Sequence, residues 1–302
     1  MKILLTGATG LVGKVLVKNL LVQKHQLHYL STQKEKLRHA PNLKGFFWDP
    51  KNGIIDSAAL EGVEVVIHLA GATISKPWTS AYKNEILSSR TQSTRLLAET
   101  LKGRNQKIQA FIGASATGIY PSSYTKFYDE TSNEITADFL GNVVQKWEAA
   151  SVDFETFANR RVLFRIGLVL AKDGGVLSTL SLPVKWGIGG PVGSGQQWQS
   201  WIHIEDLCAL FCTAVEKPWH GIYNAVAPEV VTQKTLLKTL AQQLRRPLFF
   251  PPVPAFALKC LMGARSSLVL NSQHVSSSRL KASEFKFEYP TLKSAIHALL
   301  KK

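Results

Sequence analysis

The sequence predicts an α/β protein built on a doubly wound parallel sheet with a small C-terminal lobe. Three observations carry the prediction. Short apolar runs recur at 2–5, 26–30, 64–69, 110–114 and 162–166, each stopping at or beside a small residue. Helical periodicity fills the stretches between them, notably 84–102 and 138–151. The first two runs are joined by a glycine turn and a helix, which makes a βαβ unit of about 30 residues. Strands that alternate with helices over most of a chain pair in parallel, because each crossover helix returns the chain to the same sheet edge.

The elements follow in order. Lys2-Ile3-Leu4-Leu5 is too short for a helix and reads as a buried strand. Gly7-x-x-Gly10-x-x-Gly13 comes directly after it and opens a helix marked by Val15, Leu16, Leu20 and Leu21. Glycines at this spacing let the backbone turn tightly, let a pyrophosphate approach, and let helix and strand pack closely. The phosphates then lie on the unpaired N–H groups and positive end of the helix. Gly7, Thr9, Gly10, Leu11, Val12 and Gly13 are therefore candidate dinucleotide contacts. A site for NAD would place an acid at the end of the second strand to accept from the ribose 2′-hydroxyl. This chain instead has Ser31-Thr32-Gln33-Lys34, then Lys36 and Arg38. Hydroxyls and cations suit a 2′-phosphate, so NADP(H) is the expected cofactor, with Ser31 and Thr32 as contacts. The rival reading of the three cations is a solvated loop.

Beyond about residue 170 the composition shifts. Residues 186–195 form a glycine-rich loop, 247–254 hold four of the thirteen prolines and read as an extended connector, and 255–302 look helical. The expected division is 1–222 for the dinucleotide domain, with 170–200 contributing to a substrate lobe, and 223–302 for the C-terminal lobe.

Composition bounds the partners. Of the 302 residues, 45% are hydrophobic and 19% charged, which excludes a disordered chain. The net charge of +15 divides into +6 for 1–150 and +9 for 151–302, so no basic tail exists. Without a recognisable module the charge reads as affinity for anions, and a phosphate-rich small molecule is favoured over nucleic acid. Cys208, Cys212 and Cys260 make no CxxC pair and no disulfide framework, which suits a reducing compartment. No signal-peptide core and no 18-residue apolar run occur, so a cytoplasmic protein without membrane contact is expected. A homodimer is compatible with all of this.

The strings TGATGLVG at the start, HLAG at 68–71, SRTQSTRLL at 89–97, GASATGIY at 113–120 and WIHIEDL at 201–207 resemble the extended short-chain dehydrogenase/reductases. GGPVGSGQQWQSWIHIEDL at 189–207, KWEAA at 146–150 and FKFEYPTLKSAIHALL at 285–300 resemble one atypical branch, the epimerase family or sugar-nucleotide-epimerase-like proteins. That branch carries a small C-terminal domain of unknown function, here at about 250–302. The resemblance covers essentially the whole chain. It implies a Rossmann fold, an NADP(H) site, and a small-molecule substrate such as a sugar nucleotide or another carbonyl or hydroxyl compound. It also implies cofactor contacts from Leu69, Ala70, Gly71, Glu85 and Arg90. Arg165 is expected to meet either a phosphate or a helix carboxylate such as Glu148.

The chemistry departs from the larger family. Short-chain dehydrogenases use a Tyr-x-x-x-Lys pair, in which the Lys lowers the Tyr pKa for proton exchange. Here the Tyr position falls at Phe139 or Leu140, the Lys position falls at Val143 or Val144, and Lys146 is out of phase. Tyr289-x-x-x-Lys293 matches formally, but Pro290 interrupts the turn. Ser115, Thr117 and Tyr120 remain as candidate catalytic residues after the 110–114 strand. Gln196, Trp198 and Trp201 are candidate walls on the substrate side, and His203 with Asp206 is expected to be structural. No metal-ligand spacing is present. Two functions survive: an oxidoreductase or epimerase with an unusual proton source, and a cofactor-binding regulatory or scaffold protein.

Overall fold

The computed structural model describes residues 1–248 and 251–301; Phe249 and Phe250, which fall in the expected connector, and Lys302 lie outside the described residues. The chain opens with β1 (Lys2–Thr6), α1 (Leu11–Val22), β2 (Gln26–Ser31), β3 (His39–Ala40), β4 (Leu43–Asp49) and β5 (Ile54–Ile55). It continues with β6 (Val65–His68), α2 (Ser80–Gly103), β7 (Ala110–Ala116), β8 (Phe127–Tyr128), α3 (Phe139–Ala150) and β9 (Arg161–Ile166). Then come β10 (Leu168–Ala171), α4 (Gly175–Lys185), β11 (Trp198–Gln199), β12 (Trp201–His203), α5 (Ile204–Glu216) and β13 (Gly221–Ala225). The last part holds β14 (Val231–Thr232), α6 (Gln233–Gln243), α7 (Ala255–Met262), α8 (Ser267–Leu270), β15 (His274–Val275), α9 (Ser278–Ala282) and α10 (Leu292–Leu300).

The central sheet runs β13-β9-β7-β6-β1-β2-β4 in parallel, with β3 antiparallel at the edge beside β4. This is the Rossmann order, and Leu5 pairs with Tyr29 on one side and Ile67 on the other. Strands covered on both faces read as continuous apolar runs. All four residues of β6 are accordingly buried. One face of the sheet packs α1 and α5 through Leu16, Leu20, Leu207 and Phe211; the other buries Leu97, Leu101, Phe111 and Phe154.

Among the elements that went unread in the sequence, β4 and α4 have clear physical reasons. In β4, Gly45 interrupts the apolar pattern because the Tyr29 ring crosses that strand; a Cβ at Gly45 would lie 2.6 Å from Tyr29 Cζ. In α4, the Gly174-Gly175 start and the internal Pro183 disguise a helix. The expected boundary at 222 falls inside β13, which continues the sheet to Ala225.

The remainder is held by short pairings of β10 with β12, β11 with β14, and β15 with β8. Residues 266–276 thread through this region. Ser272 Oγ donates to the Ser123 carbonyl at 2.8 Å, Ser200 Oγ donates to the Gln273 carbonyl at 2.8 Å, and the Val275 N–H donates to Ser200 Oγ at 2.9 Å. The charge is uneven at this finer scale: 230–283 hold eight Lys and Arg and no Asp or Glu. Among the described residues no helix is long and apolar enough to cross a membrane.

Phe164 lies fully buried on β9, edge-on to Phe211 at 4.9 Å and beside Trp219 and Tyr223. Phe164→Ala should lower unfolding stability by about 3–5 kcal/mol, read by urea denaturation, since the surrounding rings cannot close the void.

Candidate functional site

Strand order reverses between β1 and β6, and the crevice at their C-terminal ends is a cleft of about 710 Å³. Its floor is the glycine turn. Gly7 has φ +73°, and a Cβ there would lie 2.9 Å from the Leu69 carbonyl; a Cβ on Gly13 would lie 2.1 Å from the Gly7 oxygen. Both positions therefore exclude a side chain. Gly10 caps α1 without any side-chain acceptor, and no group among the described residues accepts from the N–H groups of Leu11, Val12 and Gly13. An open helix N-terminus of this kind takes an anion. Gly7, Thr9 and Gly10 line the cleft. The Leu11 side chain packs towards Gly174, and the Val12 carbonyl accepts from Cys208 Sγ, so these two offer only amides.

Ser31, Thr32, Gln33 and Lys36 line the far end. The Ser31 hydroxyl donates to the Gln33 carbonyl at 3.1 Å and also accepts the Gln33 N–H. Lys34 lies over the Phe47 ring at 5.0 Å, and Lys34 and Arg38 stay outside the lining. Sequence reasoning missed Trp48, Asp49 and Lys51, which the unread β4 delivers to the same end. The Asp49 carboxylate accepts from the Lys51 N–H at 3.1 Å and Asn52 Nδ2 at 2.7 Å. Leu69, Ala70, Gly71 and the exposed Glu85 form the opposite wall.

Behind that wall sits a buried network that the sequence did not announce. Thr6 Oγ1 accepts the N–H groups of Leu69 and Ala70, each at 3.1 Å, and lies 2.8 Å from His68 Nδ1. Its one hydrogen is left for Nδ1. Ser93 donates to the carbonyls of Ser89 and Arg90, and Thr94 donates to the Arg90 carbonyl, so both hydroxyls can only accept from His68 Nε2. Hydrogen counting thus assigns the Nε2–H tautomer. Burial, helped by the Arg90 charge, holds the imidazole down at about 3, so it stays neutral.

A second, smaller cavity of about 210 Å³ adjoins the loop after β7. Leu140, Val143, Val144 and Trp147 of α3 form one wall, at the positions where a phenol and an ammonium would stand in the larger family. Thr117 and Trp198 line it, and Ser267, Leu268, Asn271 and Gln273 roof it from the C-terminal lobe. Arg90 lines this cavity and not the cleft; its Cζ lies 5.1 Å from the Trp147 ring. Trp201 is fully buried core, and Gln196 is exposed outside both linings.

Ser115, Tyr120 and Arg165 form a cluster beneath the second cavity and line neither space. Arg165 makes a two-pronged pair with Glu148, Nε to Oε1 and Nη2 to Oε2, both 2.9 Å. Of its two expected partners, then, it meets the helix carboxylate. Ser115 Oγ donates to the same Oε1 at 2.5 Å. The Tyr120 hydroxyl contacts Arg165 Nη1, Asn224 Oδ1 and the Asp129 carbonyl, each at 2.9 Å, and burial pushes its pKa up against the pull of Arg165. A hydroxyl so enclosed is a poor proton donor to a ligand. Tyr289 lies elsewhere, its ring 3.8 Å from that of His203, while the Glu288 and Tyr289 N–H groups donate to Asp206. His203 Nδ1 caps α5 by accepting the Glu205 N–H at 3.1 Å.

The His68 network makes stability depend on pH. The unfolded imidazole titrates near its ordinary 6.5 and the folded one at about 3, so between those values the unfolded chain binds the extra proton. His68 therefore contributes stability above pH 6.5 that is lost as pH falls through that window. The stability gap between wild type and His68→Gln, measured by urea denaturation, should narrow by about 2 kcal/mol from pH 6.5 to pH 5.

A profile described as the NAD dependent epimerase/dehydratase family matches residues 3–138, and one described as a domain of unknown function, DUF1731, matches 253–299. An epimerase family protein of Staphylococcus saprophyticus is 38% identical over 298 residues, covering 98% of each chain. Another, from Staphylococcus aureus, is 37% identical over 300 residues, 99% of this chain and 98% of its own. The crystal structure of human epimerase family protein SDR39U1 (isoform 2) with NADPH matches with a TM-score of 0.86 at 30% identity, over 99% of both chains. UDP-glucuronic acid 4-epimerase from Bacillus cereus shares the fold, with a TM-score of 0.79 at 18% identity over 99% of this chain and 97% of that one. Matched end to end by such relatives, and carrying the epimerase/dehydratase match and the DUF1731 match in order, the chain belongs to the epimerase family.

Proposed function

We propose that the protein binds NADP(H) in the large cleft and acts on a small molecule in the second cavity as an atypical oxidoreductase or epimerase. The open α1 N-terminus above a glycine turn with no room for side chains is the observation that carries this reading. The Leu11, Val12 and Gly13 amides would hold the pyrophosphate, with Thr9 beside them. Ser31, Thr32 and Lys36 would hold the 2′-phosphate, since Asp49 is already engaged by Lys51 and Asn52. Leu69, Ala70, Gly71 and Glu85 would line the remainder. The human relative solved with NADPH supports the choice of cofactor. When bound, a nicotinamide supplies or accepts hydride.

The residues of this chain would do the rest. Thr117 offers the only hydroxyl of the three catalytic candidates that lines the second cavity, and it would orient a substrate oxygen. Ser115, Glu148, Arg165 and Tyr120 act behind it as positioning residues. The apolar α3 wall holds no group to tune a proton donor, so the proton comes from the substrate or from water. The lobe from 223 onward, together with 170–200, closes the substrate side. A second reading, a regulatory or scaffold protein that binds cofactor without turnover, is favoured by the same α3 wall. A single-turnover assay with deuterated NADPH separates the two: hydride exchange into any carbonyl substrate establishes chemistry, and binding without exchange favours the second reading.

NADPH should bind more tightly than NADH by calorimetry, and Lys36→Ala should cut that preference by about tenfold or more, as expected for one charge-assisted contact. Equal affinity of the wild type for both would overturn the assignment of the 2′-phosphate end. Gly10→Asp should abolish binding of both, because a carboxylate would repel the pyrophosphate.

A further inference from the structure

The second cavity carries an unusual charge balance. None of its lining residues is an Asp or Glu, and Arg90 is its one charged group. No ion pair engages Arg90 among the described residues. Its Nη1 donates to the Ala72 and Ile86 carbonyls at 3.1 and 2.9 Å, which holds the guanidinium beside the Trp147 ring. Nε–H and Nη2 find no acceptor in the protein among the described residues. Those two nitrogens form the side of the guanidinium that matches a carboxylate two-prongedly. Burial lowers the Arg90 pKa to about 10, so the group stays cationic at neutral pH yet lacks a counter-charge.

Size narrows the ligand further. A space of about 210 Å³ falls below the roughly 300–1,000 Å³ of pockets for drug-sized ligands. A nucleoside diphosphate sugar brings two phosphates, two rings and a hexose, and one guanidinium among apolar walls does not neutralise its two phosphates.

We propose that the second cavity binds a small apolar monocarboxylate, with Arg90 Nε and Nη2 taking the carboxylate and Leu140, Val143 and Trp198 covering the apolar body. This deepens the function proposed above by naming the substrate class for the same site. The roof is acid-free by origin, because it comes from the stretch of chain that holds no Asp or Glu.

The test uses benzoate, its uncharged isostere benzamide, and UDP-glucose, titrated calorimetrically into the full chain with and without NADPH. Benzoate should bind at millimolar concentration or tighter, and benzamide about tenfold or more weakly. Arg90→Met should weaken benzoate by a similar factor, in a chain whose retained NADPH binding shows that it is folded. Leu140→Trp, which fills the cavity and keeps Arg90, should also abolish benzoate binding and spare NADPH. Equal binding of benzoate and benzamide, no effect of Arg90→Met, or UDP-glucose as the tightest of the three would each overturn the proposal. Benzoate binding that persists in a chain with no affinity for NADPH would instead refute the cofactor reading and leave this one standing.

Discussion

The Thr6 hydroxyl is the smallest group on which the crevice depends. It ends β1, accepts two amides from the turn after β6, and donates to the imidazole that anchors α2 through Ser93 and Thr94. Three elements that diverge at the switch point are thereby tied by side chains where the sheet ladder stops. The turn at 69–71 is drawn so close to Gly7 that neither could shift without reopening buried polar groups. A Val at position 6 would keep the volume and lose every one of these bonds. The cleft is thus shaped as much by a hidden polar network as by its visible glycines.

The parallel sheet was legible because strands buried on both faces write themselves as unbroken apolar runs, and because glycine at the first turn has a strict steric meaning. β4 was not legible, since Gly45 is there for the Tyr29 ring, a contact between residues sixteen apart that no local pattern reveals. With β4 went Asp49 and Lys51, and half of one end of the cleft. Arg90 could be placed on the helix but not assigned its cavity. Its position depends on how far α2 turns past Gly71, where the guanidinium lies 3.1 Å from a Cβ built on that glycine. His68 looked like an ordinary member of a strand, because its partners lie 62, 25 and 26 residues away.

The cluster of Ser115, Tyr120, Glu148 and Arg165 forms the ground under the second cavity. A buried ion pair stabilises little on balance, yet removing one partner strands the other charge in a medium that cannot solvate it. Here the pair is saturated: Glu148 accepts from Arg165 twice and from Ser115 once, and Arg165 spends a further N–H on Tyr120. Its rigidity positions α3 and β7 relative to each other, so the apolar face of α3 meets the cavity at a fixed angle.

The roof of that cavity comes from residues 267–273, while its walls come from residues before 201. A chain leaving the ribosome at about 5–20 residues per second completes its β1–β9 sheet seconds before the roof exists. Every residue that lines the glycine cleft lies at or before Ser93, and Arg90 precedes the roof by more than 170 residues. The β15–β8 pairing, which joins His274 to Phe127, ties the end of the roof to the segment after β7. Chain order thus delivers the whole lining of the large cleft before any of the groups that roof the second cavity.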